Sequence, residues 1–147
     1  MSDAPAGPSA VRLVALRETP LEVDEVLAAL DDDASGGLTL FVGRVRDHDG
    51  GRGVTGLEYS AHPSALDRLQ EVCDSVATEY GVLGLAAVHR TGPLAIGDTA
   101  VIVAVAAAHR GDAFTASRSL IDRLKAEVPI WKHQLFTDGD EEWVGAP

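Results

Sequence analysis

Hydrophobic positions recur along the chain with two periods, one of two residues and one of about 3.6, and these divide it into short elements. Val11 to Leu16 reads as a strand. Thr19-Pro20-Leu21-Glu22 has the form of a capping box with proline at the first helical position, which predicts a helix from there to about Leu30. After a polar, glycine-ended loop from Asp31 to Gly37, Leu38 to Arg46 reads as a strand, and its period places Arg44 and Arg46 on one face. Asp47 to Gly53, rich in Gly and Asp, predicts a mobile loop before a strand at Val54 to Ser60. Leu66, Leu69, Val72, Cys73, Val76 and Tyr80 then keep helical spacing up to Gly81.

Leu83 to Arg90 and Thr99 to Ala108 read as two strands, separated by turns at Thr91-Gly92-Pro93 and Ile96-Gly97-Asp98. The second is apolar on both faces, which predicts a central strand covered on both sides. A long helix follows at about Asp112 to Glu127, with Ala113, Phe114, Ala116, Leu120, Ile121, Leu124 and Val128 as its buried stripe. Pro129 stops it, Ile130 to Phe136 returns as a strand, and Trp143-Val144 follows an acidic turn. Helices interspersed with strands in this order predict an α+β fold with a mostly antiparallel sheet. No internal repeat or second domain is visible, so the domain is expected to run over residues 11–147 behind a flexible tail of residues 1–10.

Composition narrows the function classes. A chain of 147 residues, 46% hydrophobic and 24% charged, is ordinary globular protein, and its net charge of −11 argues against general binding to nucleic acid or anionic membrane. The lone Cys73 excludes an intrachain disulfide and any cysteine cluster, and its place on the helical apolar face predicts an inert buried thiol. The longest apolar run, Ala100 to Ala108, is too short to span a bilayer and no leader pattern precedes the first strand, so a cytoplasmic protein is expected.

Charge is unevenly distributed. Residues 109–133 carry five basic and three acidic side chains, whereas the segments on either side are net acidic. That one positive segment holds both lysines of the chain, Lys125 and Lys132. The ten arginines of the chain suggest a bias toward arginine, so the two lysines mark positions where a compact amine able to lose its proton is wanted. His109-Arg110-Gly111, where the apolar strand hands over to the last helix, has the makings of an anion receptor, because free backbone N–H groups gather at a helix start. Arg44 and Arg46 offer a second basic wall. His48, His62, His89 and His133 lack metal-ligand spacing, so no metal site is expected, and neither a phosphate loop nor a Gly-x-Ser-x-Gly elbow is present.

Four blocks carry a family resemblance: Phe41-Val42-Gly43-Arg44-Val45-Arg46-Asp47-His48; His89-Arg90-Thr91-Gly92 with Gly97-Asp98; Ala108-His109-Arg110 with Ala113-Phe114; and Leu124-Lys125 through Pro129-Ile130-Trp131-Lys132. In order and spacing, from about Val11 to Trp143, the sequence resembles the large, catalytic subunit of molybdopterin synthase. Ile121 departs from the pattern, standing where some members have methionine. The resemblance implies an α/β hammerhead fold with an additional antiparallel sheet. It implies conversion of cyclic pyranopterin monophosphate (precursor Z) to molybdopterin, with sulfur arriving as a thiocarboxylate on the C-terminal glycine of a small, ubiquitin-like partner. It further implies a heterotetramer built on a central dimer of large subunits, and no cofactor.

By position, the resemblance makes Lys125 and Lys132 the catalytic candidates. It assigns substrate contacts to Arg44, Val45, Arg46, His109, Arg110, Lys125, Lys132, His133 and Gln134. Lys125, Lys132, Arg46, His109 and Arg110 are thus expected around one anion pocket. Two alternatives use the same residues: a non-catalytic module that binds a ubiquitin-like tail or a phosphorylated metabolite, and a Schiff-base lyase built on Lys125.

Overall fold

The computed structural model describes residues 9–145, so most of the expected N-terminal tail lies outside the described residues. The described chain forms strands β1 (Val11–Arg17), β2 (Gly37–Arg44), β3 (His48–Asp49), β4 (Arg52–Ala61), β5 (Gly84–Arg90), β6 (Gly92–Ala95), β7 (Thr99–Ala107), β8 (Ile130–Phe136) and β9 (Glu141–Val144). Helices α1 (Val23–Ala29), α2 (Ala65–Tyr80) and α3 (Arg110–Glu127) fall between them. One sheet has the order β1-β5-β7-β2, and the β1–β5 pair alone in it is parallel. The second has the order β3-β4-β8-β9 with β6 also on β4, and is antiparallel throughout. The fold is α+β, as expected.

The doubly apolar β7 is the centre of the first sheet. Val101, Val103 and Val105 pack with Leu69, Val72, Val76 of α2 and Leu120, Leu124 of α3, while Ile102, Ala104 and Ala106 face Val26 and Leu30 of α1. Period-2 geometry thus gives each face of one strand its own helical cover. Cys73 sits fully buried within the α2 side of this core. Phe114, expected in the buried stripe of α3, is instead 63% exposed, because Ala113 and Ala116 beside it fill the inward positions.

Three local expectations are corrected. The Thr19-Pro20-Leu21-Glu22 box does not begin a helix: α1 starts at Val23, and Glu22 precedes it with extended backbone and no side-chain cap. Leu21 is drawn into the core with Val26 and Leu30, and packing prevails over the local capping signal. Asp47 to Gly53 is a β-hairpin, in which His48 pairs Gly53 and Asp49 pairs Arg52 around Gly50 and Gly51. Both glycines have positive φ, 59° and 81°, the backbone that a two-residue hairpin turn requires. The Gly92-Pro93 segment, read as a turn, goes on to form β6 on β4, an edge position that tolerates proline.

Candidate active site

The second sheet and the end of α3 meet at the two lysines. Lys125 lies in the last turn of α3, where a cation also suits the negative end of the helix dipole. Pro129 breaks the helix, and β8 runs back antiparallel to β4, with Lys132 opposite Tyr59 and Gln134 opposite Leu57. Both lysines line a cavity of about 150 Å³ together with Tyr59, His89, Leu124, Val128, Ile130, Val144 and Gly145. The seven-residue separation in sequence thereby becomes a pair across one small space.

The environment sets the chemistry of these groups. Burial holds the Lys125 amine below the usual lysine range, and the charge of Lys132 adds to this. Burial likewise pushes His89 down to about 4, against the backbone carbonyl of Arg90, which favours the cation, and with the help of the Lys125 charge. The His89 ring is 2% exposed and meets Tyr59 edge-on at 4.8 Å. Burial raises the Tyr59 phenol above its ordinary value. The cavity therefore combines a mostly apolar wall, two amines, a neutral imidazole and a neutral phenol, a set able to hold an anion and move a proton at Lys125.

The remaining sequence candidates divide by location. Gln134, 3% exposed, donates through its side-chain amide to Asp49 at 2.7 Å. That bond, followed by the charges of Lys132, Arg46 and His48, holds the Asp49 carboxyl below its usual range. Arg46 itself lies 3.6 Å from Asp49, so it borders the lysine site through that carboxylate without lining the cavity. The shared face expected for Arg44 and Arg46 on one strand is not formed, because a register shift between Gly43 and Arg44 ends β2. Arg44 donates to the Gly97 carbonyl. Val45 is 4% exposed, packs with Leu57, Leu94 and Ala100, and has its N–H and carbonyl bonded to Asp98 and Gly97. Its side chain belongs to the core and not to a site. His133, on the face of β8 opposite Lys132, stacks on Trp143 at 4.4 Å and bonds Glu141.

His109 and Arg110 do not join the lysines within the chain, which corrects the single-pocket expectation. They sit at the start of α3 and Lys125 at its end, and 15 residues at about 1.5 Å each separate Arg110 from Lys125 by about 22 Å. Arg110 instead borders an open groove of about 620 Å³ between β2 and α3, with Phe41 and Phe114 on its walls. Tyr59 and His89 were not singled out from the sequence as site residues. The one available signal was a histidine closing an otherwise apolar strand. Among the described residues, no group of three or more His, Cys, Asp or Glu side chains converges as a metal ion would need.

The family model described as MoaE protein matches residues 16–127. Molybdopterin synthase catalytic subunit 1 of Mycobacterium tuberculosis is 46% identical over 131 residues, covering 88% of each chain. The structure of molybdopterin synthase from Staphylococcus aureus superposes with a TM-score of 0.82 at 32% identity, covering 90% of this chain and 96% of that one. A Helicobacter pylori structure, described as a complex of subunits 1 and 2 of molybdopterin-converting factor, shares the fold with a TM-score of 0.67 at 22% identity over 92% of this chain and 90% of that one. Fold, site and matches define a class of enzyme, the catalytic subunit of molybdopterin synthase, which acts in molybdenum cofactor biosynthesis. Within that class, the chain belongs to the MoaE protein family.

Proposed function

We propose that this chain transfers sulfur from the C-terminal thiocarboxylate of a small ubiquitin-like subunit to cyclic pyranopterin monophosphate, building the dithiolene of molybdopterin. In each transfer the thiocarboxylate sulfur bonds to a side-chain carbon of the pterin as the bond from that carbon to oxygen breaks, the oxygen leaving with the phosphate or as water. Water then cleaves the acyl–sulfur bond, and the carrier leaves as a carboxylate. Lys125 stabilises the charge that develops on the acyl oxygen and passes the proton, while Lys132 orients the pterin. The supporting observation is the convergence of both lysines on one small cavity in which burial and a neighbouring cation lower the Lys125 pKa.

The assay mixes the chain with a thiocarboxylated small subunit and precursor Z and measures molybdopterin. Lys125→Ala is expected to lower the rate on the order of 100-fold, and Lys125→Arg to fall steeply too, because a guanidinium does not release its proton. A Lys125→Ala protein working at the wild-type rate refutes the assignment.

Arg46, Gln134 and Lys132 form the proposed substrate contacts adjoining the cavity, whereas His109 and Arg110 are proposed to hold an anion at the other end of α3. The exposed Phe41 and Phe114 on the groove beside Arg110 favour a central dimer formed through this face. Such a dimer is expected to dissociate in Phe114→Glu, read by sedimentation equilibrium, and an unchanged mass would rule out that surface.

A further inference from the structure

His89 is built into the cavity in a way that leaves one polar atom unused. Along β5, Leu85 and Ala87 point into the core beneath α2 and α3, and the same alternation carries the His89 side chain beneath the end of α3, beside Lys125. The Nδ1 atom is 2.7 Å from the Arg90 carbonyl oxygen. A carbonyl only accepts, so Nδ1 carries the proton and donates, and Nε2 on the far edge of the ring is left with a lone pair. Nε2 has no hydrogen-bond partner among the described residues, yet the sealed and unpartnered side-chain nitrogen there is Arg90 Nε, not this one. Nε2 therefore opens onto the cavity that its ring lines. The edge-on contact with Tyr59 fixes the ring in that attitude.

The rest of the wall states what such an acceptor is for. Lys125 and Lys132 are donors only, the Tyr59 hydroxyl donates as well as accepts, and Leu124, Val128, Ile130 and Val144 offer no polar side-chain atom, so Nε2 is the one side-chain atom of the wall that only accepts. A ligand that satisfies this wall has an anionic end for the amines and, a few bonds away, an N–H donor for Nε2. A peptide C-terminus has this pattern, because the terminal residue carries both its acid group and its own backbone N–H. A free inorganic anion without a proton, such as sulfate, has no such donor. The space of about 150 Å³ suits an end residue with little or no side chain.

We propose that His89 Nε2 accepts a hydrogen bond from the last backbone N–H of the carrier tail and thereby sets its thiocarboxylate against Lys125. This rests on the sulfur-carrier reading above. The neutral imidazole needed for it is what burial in this position enforces. His89 acts in this role as a tail-binding residue and takes no part in the bond-making itself.

The test uses a semisynthetic ubiquitin-like small subunit ending in glycine carboxylate, and the same protein with an ester oxygen in place of its last amide N–H. Wild-type protein is expected to bind the amide form about 3- to 10-fold tighter than the ester form, the worth of one net hydrogen bond. In His89→Phe, which keeps a ring and removes the acceptor, that ratio falls to about 1. In His89→Gln, whose side-chain oxygen reaches the Nε2 position, it is restored. A readout independent of any variant is the ¹⁵N shift of Nε2 in wild-type protein, which moves toward the hydrogen-bonded position with the amide form and not with the ester. Equal ratios in wild type and His89→Phe with an unmoved Nε2 overturn this proposal and leave the carrier reading standing. Failure of wild-type protein to bind either form overturns both.

Discussion

Acidification isolates the energetic consequence of burying His89. Its folded pKa of about 4 lies below the ordinary value of 6.5, first because of burial and then because of the Lys125 charge. Between these values an unfolded chain binds a proton that the folded chain refuses, so folding loses stability as pH falls through the window. The loss approaches about 3 kcal/mol near pH 4, with about 2 kcal/mol of it already gone at pH 5, a large share of the ~5–15 kcal/mol that holds a typical domain together. Exposed carboxylates titrate in the lower part of the same range, so the informative quantity is a difference between two proteins. Urea unfolding, followed by the fluorescence of Trp131 and Trp143 at about pH 7.5, 6 and 5, is compared for wild type and His89→Gln. The wild-type stability should fall more steeply, and the gap between the two curves should shift by about 2 kcal/mol across that interval. Parallel curves would show that the imidazole is not held neutral in the folded state, and the tautomer argument for the cavity would fall with it.

Other expectations follow from burial and close approach. The Cys73 thiol is pushed up to about 12, first by burial and then by Asp74, so iodoacetamide at about pH 8 should leave the folded protein unmodified and label it fully in urea, as counted by mass spectrometry. A Cβ at Gly36 would lie 2.3 Å from the Ala108 carbonyl oxygen, and Gly36→Ala should destabilise by about 3 kcal/mol as the β2–β7 register is forced apart. Gly111, in the first turn of α3 with nothing within 4 Å of its would-be Cβ, is the control: Gly111→Ala should be neutral or stabilising by up to about 1 kcal/mol in the same denaturation assay.

The parts of this architecture that were legible in the sequence are those in which local pattern and tertiary environment agree. β7 announced itself through apolar residues on both faces, and α2 through the spacing from Leu66 to Tyr80 closed by Gly81, which has positive φ. Where packing opposed a local signal, reading failed: the Thr19 box lost to the insertion of Leu21, and Phe114 was assigned inward when the alanines beside it hold that position. The lysine pair was legible because proline, the helix end and the returning strand are all written within a few residues. Tyr59 and His89 were not, since their place beside Lys125 depends on the β4–β8 register and on the seating of β5 beneath α3. Placing His109 and Arg110 in the same pocket overlooked the length of α3, which separates its two ends whatever the family order of motifs.

The distribution of ion pairs gives the site an independent mark. Among the described residues, Arg12, Arg17, Arg46, Arg52, Arg68, Arg90, Arg118 and Arg123 each lie against a carboxylate. In an acidic chain that is the expected state of a cation. No such bridge is formed there by Arg44, Arg110, Lys125 or Lys132, all of them candidates for anion contact. Lys125 loses hydration on burial and also feels the charge of Lys132, and its lowered pKa records both, burial first. An anion seated between the two amines would offset their repulsion and raise the Lys125 pKa. The same reasoning explains lysine in place of arginine here. Burial and a neighbouring cation move the Lys125 amine toward giving up its proton, whereas a guanidinium would keep its charge in the same place.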